Sequence, residues 1–465
     1  MPFSIDFSEK LKKNLTQVTA QEARAYIFSR GYSSSSFHMP EYYVPAGFSK
    51  FKLNSINWNQ EKPLITKTLD IVTPKSYLAW RNFNFLNPYI FYYLVSEITS
   101  KTNWKKIQKI LAKQTLVASY STPVFIKDKT EKPGKRAILN WLQMAEKDLI
   151  KDCPQYNFLT VTDIKNFYPS IYTHSIAWAI HGKMFMKTAR NRFNSSLLGY
   201  RLDKLFQNAC DGQTNGIPVG SMTSDLIAEV ILADVDEKLT KKIKQLKIAD
   251  KVLISRYRDD YRILSEKTEH GQTVLASLNR ILQSEYNLYL NQEKTNSYDD
   301  ILENALRPWM QEVRRSTLLR RIYRDDYSDI ENVEYLKDAL LEVYRIQKKF
   351  GGSAAITILG KLAEKFYAGI NFTNLNQDSI LEITSILRKI TLLREEATPQ
   401  VFSILDVLLK KLPRKNTKKT LDAILNVIKG RQDQDYQFIW FYRLCLSRSP
   451  NYCINLTRST KAHPI

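Results

Sequence analysis

The stretch KVLISRYRDDYRILSE, residues 251–266, sets two adjacent acids, Asp259 and Asp260, between two runs with strand-like alternation. Leu253, Ser255 and Tyr257 alternate with Ile254, Arg256 and Arg258, and YRILS resumes the pattern after the acids. The segment therefore predicts strand, tight turn, strand. Such a hairpin commits its surroundings to a sheet and puts both carboxylates at a turn, where side chains can converge on a ligand. The same letters, YRDDY, recur at 323–327. There Leu318, Leu319 and Ile322 recur at helical spacing, and Asp329 or Asn332 is placed to cap the next helix. Asp325 and Asp326 accordingly read as solvated charges at a helix junction, and only the first copy has a scaffold for holding metal.

Two carboxylates need a third, and FLTVTDIKNFYPSI, residues 158–171, supplies it. Leu159 and Val161 alternate with Thr160 and Thr162, so Asp163 falls at the end of a strand. A strand-end aspartate beside a hairpin pair is the hard-oxygen ligand set that nucleotidyl transfer demands. It would bridge two Mg²⁺ ions ~3.5–4 Å apart, with Mn²⁺ able to substitute. Further on, NGIPVGSMTSDLIAEVILADVDEKL (215–239) reads as a glycine-framed turn followed by an amphipathic helix. Its buried face would be Leu226, Val230, Ile231, Val235 and Leu239, while Gly216 and Gly220 would let backbone approach a template or base. Upstream, STPVFIKDKTEKPGKRAILNW (121–141) reads as a hairpin turning at Lys132–Lys135, with Lys129 and Arg136 facing each other across the turn.

The formal net charge of +22 is not confined to a tail. Residues 1–300 carry 42 basic against 29 acidic groups, and residues 301–465 carry 27 against 18. A globular body this positive calls for a polyanionic partner, most often nucleic acid. The 26 Tyr, 21 Phe and 7 Trp include more rings than stacking on bases would need, so most must be core. The apolar run Tyr89–Val95, with three tyrosines inside it, is too short and polar to cross a bilayer, and MPFSIDFSEKLKK lacks the order of a signal peptide. Cys153, Cys210, Cys445 and Cys453 show no metal-binding spacing and read as reduced thiols of a cytoplasmic protein.

Along the chain, residues 1–110 read as an N-terminal, mainly helical region and 111–300 as mixed strands and helices. Residues 301–465 read as successive amphipathic helices of similar length, a helical-repeat array with KLPRKNTKK (411–419) as a basic loop between two of them. The fold class is α+β. His174 and His181, seven apart in a helical run, read as structural.

Taken in order, TDIKNFYPSI, NGIPVGSMTSDLIAE, RYRDDYRIL and LNQEKT resemble motifs A, B, C and D of a reverse transcriptase, over residues 162–295. The resemblance implies right-hand fingers and palm with an antiparallel sheet. It also implies an RNA-directed DNA polymerase using dNTPs and two Mg²⁺ ions. Asp163 and Asp259 would ligate both ions with help from the Ile164 carbonyl, and Asp260 would be the second carboxylate of the pair. Tyr168 matches the bulky residue that excludes a ribose 2′-OH. Gly220 would sit against the nucleotide or template, Lys294 would be the general acid for pyrophosphate, and Lys129 and Arg136 would grip the triphosphate. Val219 departs from the pattern, since many reverse transcriptases carry glutamine there.

FYPSIYTHS, IPVG and the helical extension resemble bacterial abortive-infection and defence-associated reverse transcriptases, the AbiK-like group. That implies a HEAT-like helical domain in place of a thumb, homo-oligomers, and a role in antiphage defence. In this group some members prime on a tyrosine hydroxyl, some synthesise DNA without an ordinary template, and others copy a noncoding RNA. The alternatives are a retron-type templated enzyme, or a catalytically silent helical-repeat scaffold that binds nucleic acid. Tyr436, Tyr442 and Tyr452 of the C-terminal segment suit core packing or a helix interface better than priming.

Overall fold

The computed structural model describes residues 2–33, 53–54, 56–58, 64–76, 79–123, 125, 135–305, 307–322, 331–369, 372, 374–429 and 435–450. Two compact units divide the chain. The first comprises residues 1–37, 44–70 and 84–305, and the second comprises 38–43, 71–83 and 306–465.

Among the described residues seven strands are formed: β1 (Leu69–Ser76), β2 (Ala79–Phe85), β3 (Val117–Ser119), β4 (Phe158–Asp163), β5 (Val252–Tyr257), β6 (Asp260–Ser265) and β7 (Asn296–Tyr298). β1 and β2 pair with each other, and the rest make a five-stranded sheet in the order β3-β5-β6-β4-β7. The β5–β6 and β4–β6 pairs are antiparallel and β3 joins β5 in parallel. The strand–turn–strand reading of 251–266 is thus realised. The strands β1 and β2, by contrast, interrupt a region expected to be mainly helical.

Around the sheet the first unit places α1 (Phe3–Thr16), α2 (Ala20–Arg30), α3 (Pro88–Ile98), α4 (Lys101–Leu111) and α5 (Lys135–Asp152). Then come α6 (Phe167–Ser170), α7 (His174–His181), α8 (Lys183–Met186), α9 (Leu198–Ala209) and α10 (Met222–Gln245). α11 (Thr268–Ile281) runs into a π-helical turn, Leu282–Tyr286, and α12 (Ile301–Ala305) ends the unit. Strand alternation sends Leu159, Leu253 and Leu264 to one face, where Leu149 of α5 and Ile301 of α12 cover them. α11 covers the other face so closely that a Cβ on Gly271 would lie 3.0 Å from Thr160 Oγ1. The anticipated face of α10, from Leu226 to Leu239, is buried.

α5 corrects one expectation. From Lys135 the chain is helical, so Arg136 does not begin a strand. Ile138, Leu142, Ala145 and Leu149 recur at helical spacing, and this longer period outweighs the short AIL run. Lys129 lies outside the described residues.

The described residues of the second unit from Pro308 onward form helices: α13 (Pro308–Arg315), α14 (Thr317–Ile322), α15 (Val333–Phe350), α16 (Ala354–Tyr367), α17 (Gln377–Leu393), α18 (Thr398–Leu409), α19 (Arg414–Lys429) and α20 (Asp435–Arg448). Asn332 caps α15 through the Glu334 and Tyr335 amides, as its position suggested, while Asp325 and Asp326 lie outside the described residues. Gly351 and Gly352, at φ +63° and +61°, turn the chain into α16. Each helix packs on its neighbour or next-but-one: α15 on α16 and α17, α16 on α18, α18 on α17 and α20. The basic segment 411–419 is a loop only to Pro413, and from Arg414 it forms the first turns of α19. Its lysines lack apolar periodicity but are good helix formers. Tyr436 is buried, Tyr442 is 36% exposed, and Tyr452 lies outside the described residues.

Inside the first unit Arg256 is buried between Asp236, 2.8 Å away, and Glu229, 3.0 Å away, both on α10. Arg256→Ala would leave two buried carboxylates without their counter-charge. We expect it to cost about 3–5 kcal/mol, read as a fall in the urea midpoint of this unit.

Candidate active site

The corner is built by strand register. β4 runs against β6 so that Asp163 lies directly opposite Asp260, and Tyr257 pairs with Asp260 across the hairpin. Arg258, at φ +54°, makes the turn, and Ser121 Oγ accepts its backbone N–H at 2.8 Å. The Ile164 N–H donates to the carbonyl of Asp259 at 3.2 Å, which fastens the chain after β4 to the turn. Asp163 is buried, Asp259 half-buried and Asp260 exposed.

Lys294 is the nearest counter-charge. It ends a 3₁₀ turn, Gln292–Lys294, and its Nζ donates to Asp163 Oδ2 at 2.5 Å. Burial pulls its ammonium pKa down, but the bond to Asp163 and the charges of Asp163, Asp260 and Asp259 outweigh this and raise it. The other oxygen, Asp163 Oδ1, is buried without a hydrogen-bond partner. Burial first, and then the Asp260 charge, pushes the Asp259 carboxyl up to about 7. Among the described residues no three His, Cys, Asp or Glu side chains form a ready-made cage. The donor chemistry nonetheless suits a hard cation. Strand register and the turn bring three aspartates to one corner, one with an orphaned buried oxygen and one whose ionisation is opposed until positive charge arrives.

The segment after β4 and the loop before α10 are strapped together. Gly216 N–H donates to Ile171 O at 2.8 Å and Ile217 N–H to Tyr168 O at 3.0 Å. Gly216, at φ +86°, approaches so closely that a Cβ would sit 3.2 Å from Pro169 O. Gly220, at φ +123°, delivers the chain to Ser221, whose side chain caps α10. Val219, apolar where a glutamine is common, is held by its backbone. Its N–H donates to Asn84 Oδ1 at 3.0 Å, and its carbonyl accepts from Asn84 N at 2.8 Å.

Tyr168 packs edge-on against buried Phe167 and donates its hydroxyl to Asp225 Oδ1 at 2.7 Å. Arg258 Nη2 holds the other Asp225 oxygen at 2.9 Å. Burial and the Asp225 charge raise the Tyr168 phenol well above its ordinary value, with Arg258 opposing. Three motifs are thereby joined: Tyr168 follows β4, Asp225 opens α10 and Arg258 turns the hairpin. Asp225, Arg258, Asn84 and Ser121 were not singled out from the sequence. An acid in the first turn of a helix was the one available hint.

The histidines are structural, as read: His174 Nδ1 pairs with Asp203, and His181 Nε2 accepts the Gly199 N–H at 3.1 Å. Among the described residues Cys153, Cys210 and Cys445 form no disulfide. No helix among the described residues is long and apolar enough to cross a membrane.

Asp259 makes a stability prediction. With its carboxyl pushed up from the ordinary 3.8 to about 7, the folded chain still holds a proton that the unfolded chain has released. Stability therefore falls as pH rises between about 4 and 7. In EDTA, Asp259→Asn should melt above the parent at pH 8, with the gap closing toward pH 4. A gap independent of pH would contradict this.

Residues 98–327 match the family described as Reverse transcriptase (RNA-dependent DNA polymerase). No curated protein matches the chain. Among solved structures, apo telomerase from Candida tropicalis truncated from its C-terminal domain aligns at 15% identity and TM-score 0.32, covering 50% of each chain. Apo telomerase from the same organism aligns at 11% and 0.35, covering 84% of this chain and 72% of its own. Telomerase from Candida albicans in complex with a TWJ fragment of telomeric RNA aligns at 11% and 0.33, over 80% and 66%. The chain thus spans about half the length of the truncated telomerase, and likenesses this distant bear on neither substrate nor partner. The aspartate corner falls inside the matched segment, and over residues 98–327 the chain carries a reverse-transcriptase domain.

Proposed function

We propose that the protein is a reverse-transcriptase-like DNA polymerase that joins dNTPs to a primer hydroxyl and serves bacterial antiphage defence. The observation that carries the enzymatic part is the β4–β6 register, which sets Asp163 against the 259–260 turn. Asp163, Asp259 and Asp260, with the Ile164 carbonyl, would hold two Mg²⁺ ions. Bound there, the ions would acidify the attacking hydroxyl and neutralise charge on the leaving pyrophosphate. The chain's own groups do the rest. Lys294 keeps a proton on Nζ, close to where the leaving group gathers charge, and releases Asp163 to deliver it. Tyr168, its hydroxyl fixed by Asp225, presents the ring edge that would collide with a 2′-OH. Gly220 and the strapped 216–220 loop would face the nucleotide or template, and Lys129 and Arg136 the triphosphate.

The defence assignment rests on the resemblance of FYPSIYTHS, IPVG and the helical extension to the AbiK-like group. The neighbour and next-but-one packing of α15–α20 supports a HEAT-like domain over 301–465, following the fingers and palm of 111–300 and the N-terminal region of 1–110. Homo-oligomerisation, a noncoding-RNA template or none, a tyrosine primer and a cytoplasmic site of action belong to the same proposal.

Purified protein with dNTPs and Mg²⁺ tests the chemistry. Asp259→Ala/Asp260→Ala should reduce incorporation to background, and equal incorporation by both proteins would reject the proposal. Undiminished phage protection by the same double variant would instead support a silent scaffold. Tyr168→Val should raise ribonucleotide use relative to dNTP use by roughly 10–200-fold, the range for one small clash in a pocket. Asp225→Ala should move discrimination the same way, by less.

A further inference from the structure

From Ile164 through Leu202 the chain contains no Asp or Glu, while Lys165, Lys183, Lys187, Arg190, Arg192 and Arg201 fall within it. The middle of this run displays apolar side chains in the open: Met184 is 81% exposed, Phe193 67% and Phe185 47%. The display is ordered. Lys183 Nζ donates to the carbonyls of Ser284 and Glu285 at 2.6 and 3.0 Å, tying α8 to the π-helical turn. Thr188 Oγ1 and Asn191 Nδ2 both donate to Phe185 O, and Arg192 N–H closes onto Thr188 O at 3.1 Å. The His181 ring stacks on Phe185, centroids 6.2 Å apart. Cations lie against rings: Arg192 over Phe193 at 4.5 Å and Lys187 over Trp178 at 5.5 Å. Glu285 and Glu97 oppose Lys183 and Arg201 at 3.9 and 2.9 Å, and among the described residues no acid pairs with Lys187, Arg190 or Arg192. A loop with this many internal bonds, displaying rings in water beside those three cations, is preformed for a ligand that offers flat faces and negative charge together.

We propose that Gly182–Asn194 is a docking surface for single-stranded nucleic acid, with Phe185 and Phe193 stacking on bases and Lys187, Arg190 and Arg192 holding phosphates. Unpaired bases present flat faces to the ring surface that Phe185 and Phe193 still expose, and each phosphate supplies the negative charge that this run of sequence lacks. An anionic membrane would also attract the cations. However, guanidinium against phenyl makes a flat, alternating surface suited to base and phosphate in turn, rather than a continuous apolar wedge. A second copy of this loop would meet like charge. The inference rests on the polymerase reading for its choice of partner, but its test needs no turnover.

The measurement is fluorescence anisotropy of the full chain in EDTA with labelled strands of about 12 nucleotides, within the usual site size, in one RNA and one DNA arm. Phe193→Ala should weaken binding about 5- to 100-fold in at least one arm, which names the strand, and Phe193→Trp should restore it. Arg190→Glu/Arg192→Glu should flatten the slope of log affinity against log salt by about 1.4, two phosphates' worth for a single strand. Unchanged affinity in both arms with an unchanged slope would overturn the proposal. So would a Phe193→Ala effect confined to anionic vesicles or to sedimentation as an oligomer. If dNTP incorporation fails while the Phe193 dependence holds, the surface stands without the polymerase. Incorporation with Phe193-independent binding removes the surface alone.

Discussion

Three carboxylates brought together repel one another, so the question for this fold is what forces them to stay. Backbone pairing does most of it. The β4–β6 ladder fixes Asp163 opposite Asp260 whatever their charges, and the Ile164 N–H on the Asp259 carbonyl closes the corner from the other side. Side chains add to this. Arg258 pairs with Asp225 while its backbone is pinned by Ser121, and Lys294 places an ammonium on Asp163 itself. Burial first, and then the Asp260 charge, still oppose the ionisation of Asp259. A corner held together against its own field will favour whatever brings positive charge to it.

What could be read from the sequence was what a short period encodes. The alternation of 252–257 and 260–265, the strand end at Asp163 and the apolar face of α10 all appear where that period places them. Runs too short to declare a period misled: AIL before Asn140 reads as a strand start until the helical spacing through Leu149 is followed. β1 and β2 escaped because Pro74 and the polar residues around it mask alternation in 69–85. The clamps around the site were not legible at all. Asn84 reaches Val219 across 135 positions and Arg258 reaches Asp225 across 33, and no local pattern encodes such pairings.

Both units combine aliphatic faces with buried polar networks. The first shares Arg256 between Asp236 and Glu229 under its sheet. The second sets Leu336, Leu340 and Val343 of α15 against α16 and α17, and buries Arg388 of α17 on Gln437 of α20 at 2.6 Å. Buried charges specify one geometry, whereas stacked aliphatic helices tolerate exchange of similar volumes.

The Asn84 clamp belongs with two others that start even earlier in the chain. Phe3 N–H, Ser4 N–H and Ser4 Oγ all donate to the Asp152 carboxylate at the end of α5, and Ser8 Oγ accepts from Ser119 N–H on β3. The stretch recognisable by family begins at residue 98, yet its sheet edge, one of its helix ends and its glycine loop lean on residues before that point. Recognisable ancestry and physical self-sufficiency have different borders here. A fragment cut at the first would carry the aspartates but lose the braces on the sheet edge, the α5 end and the glycine loop around them.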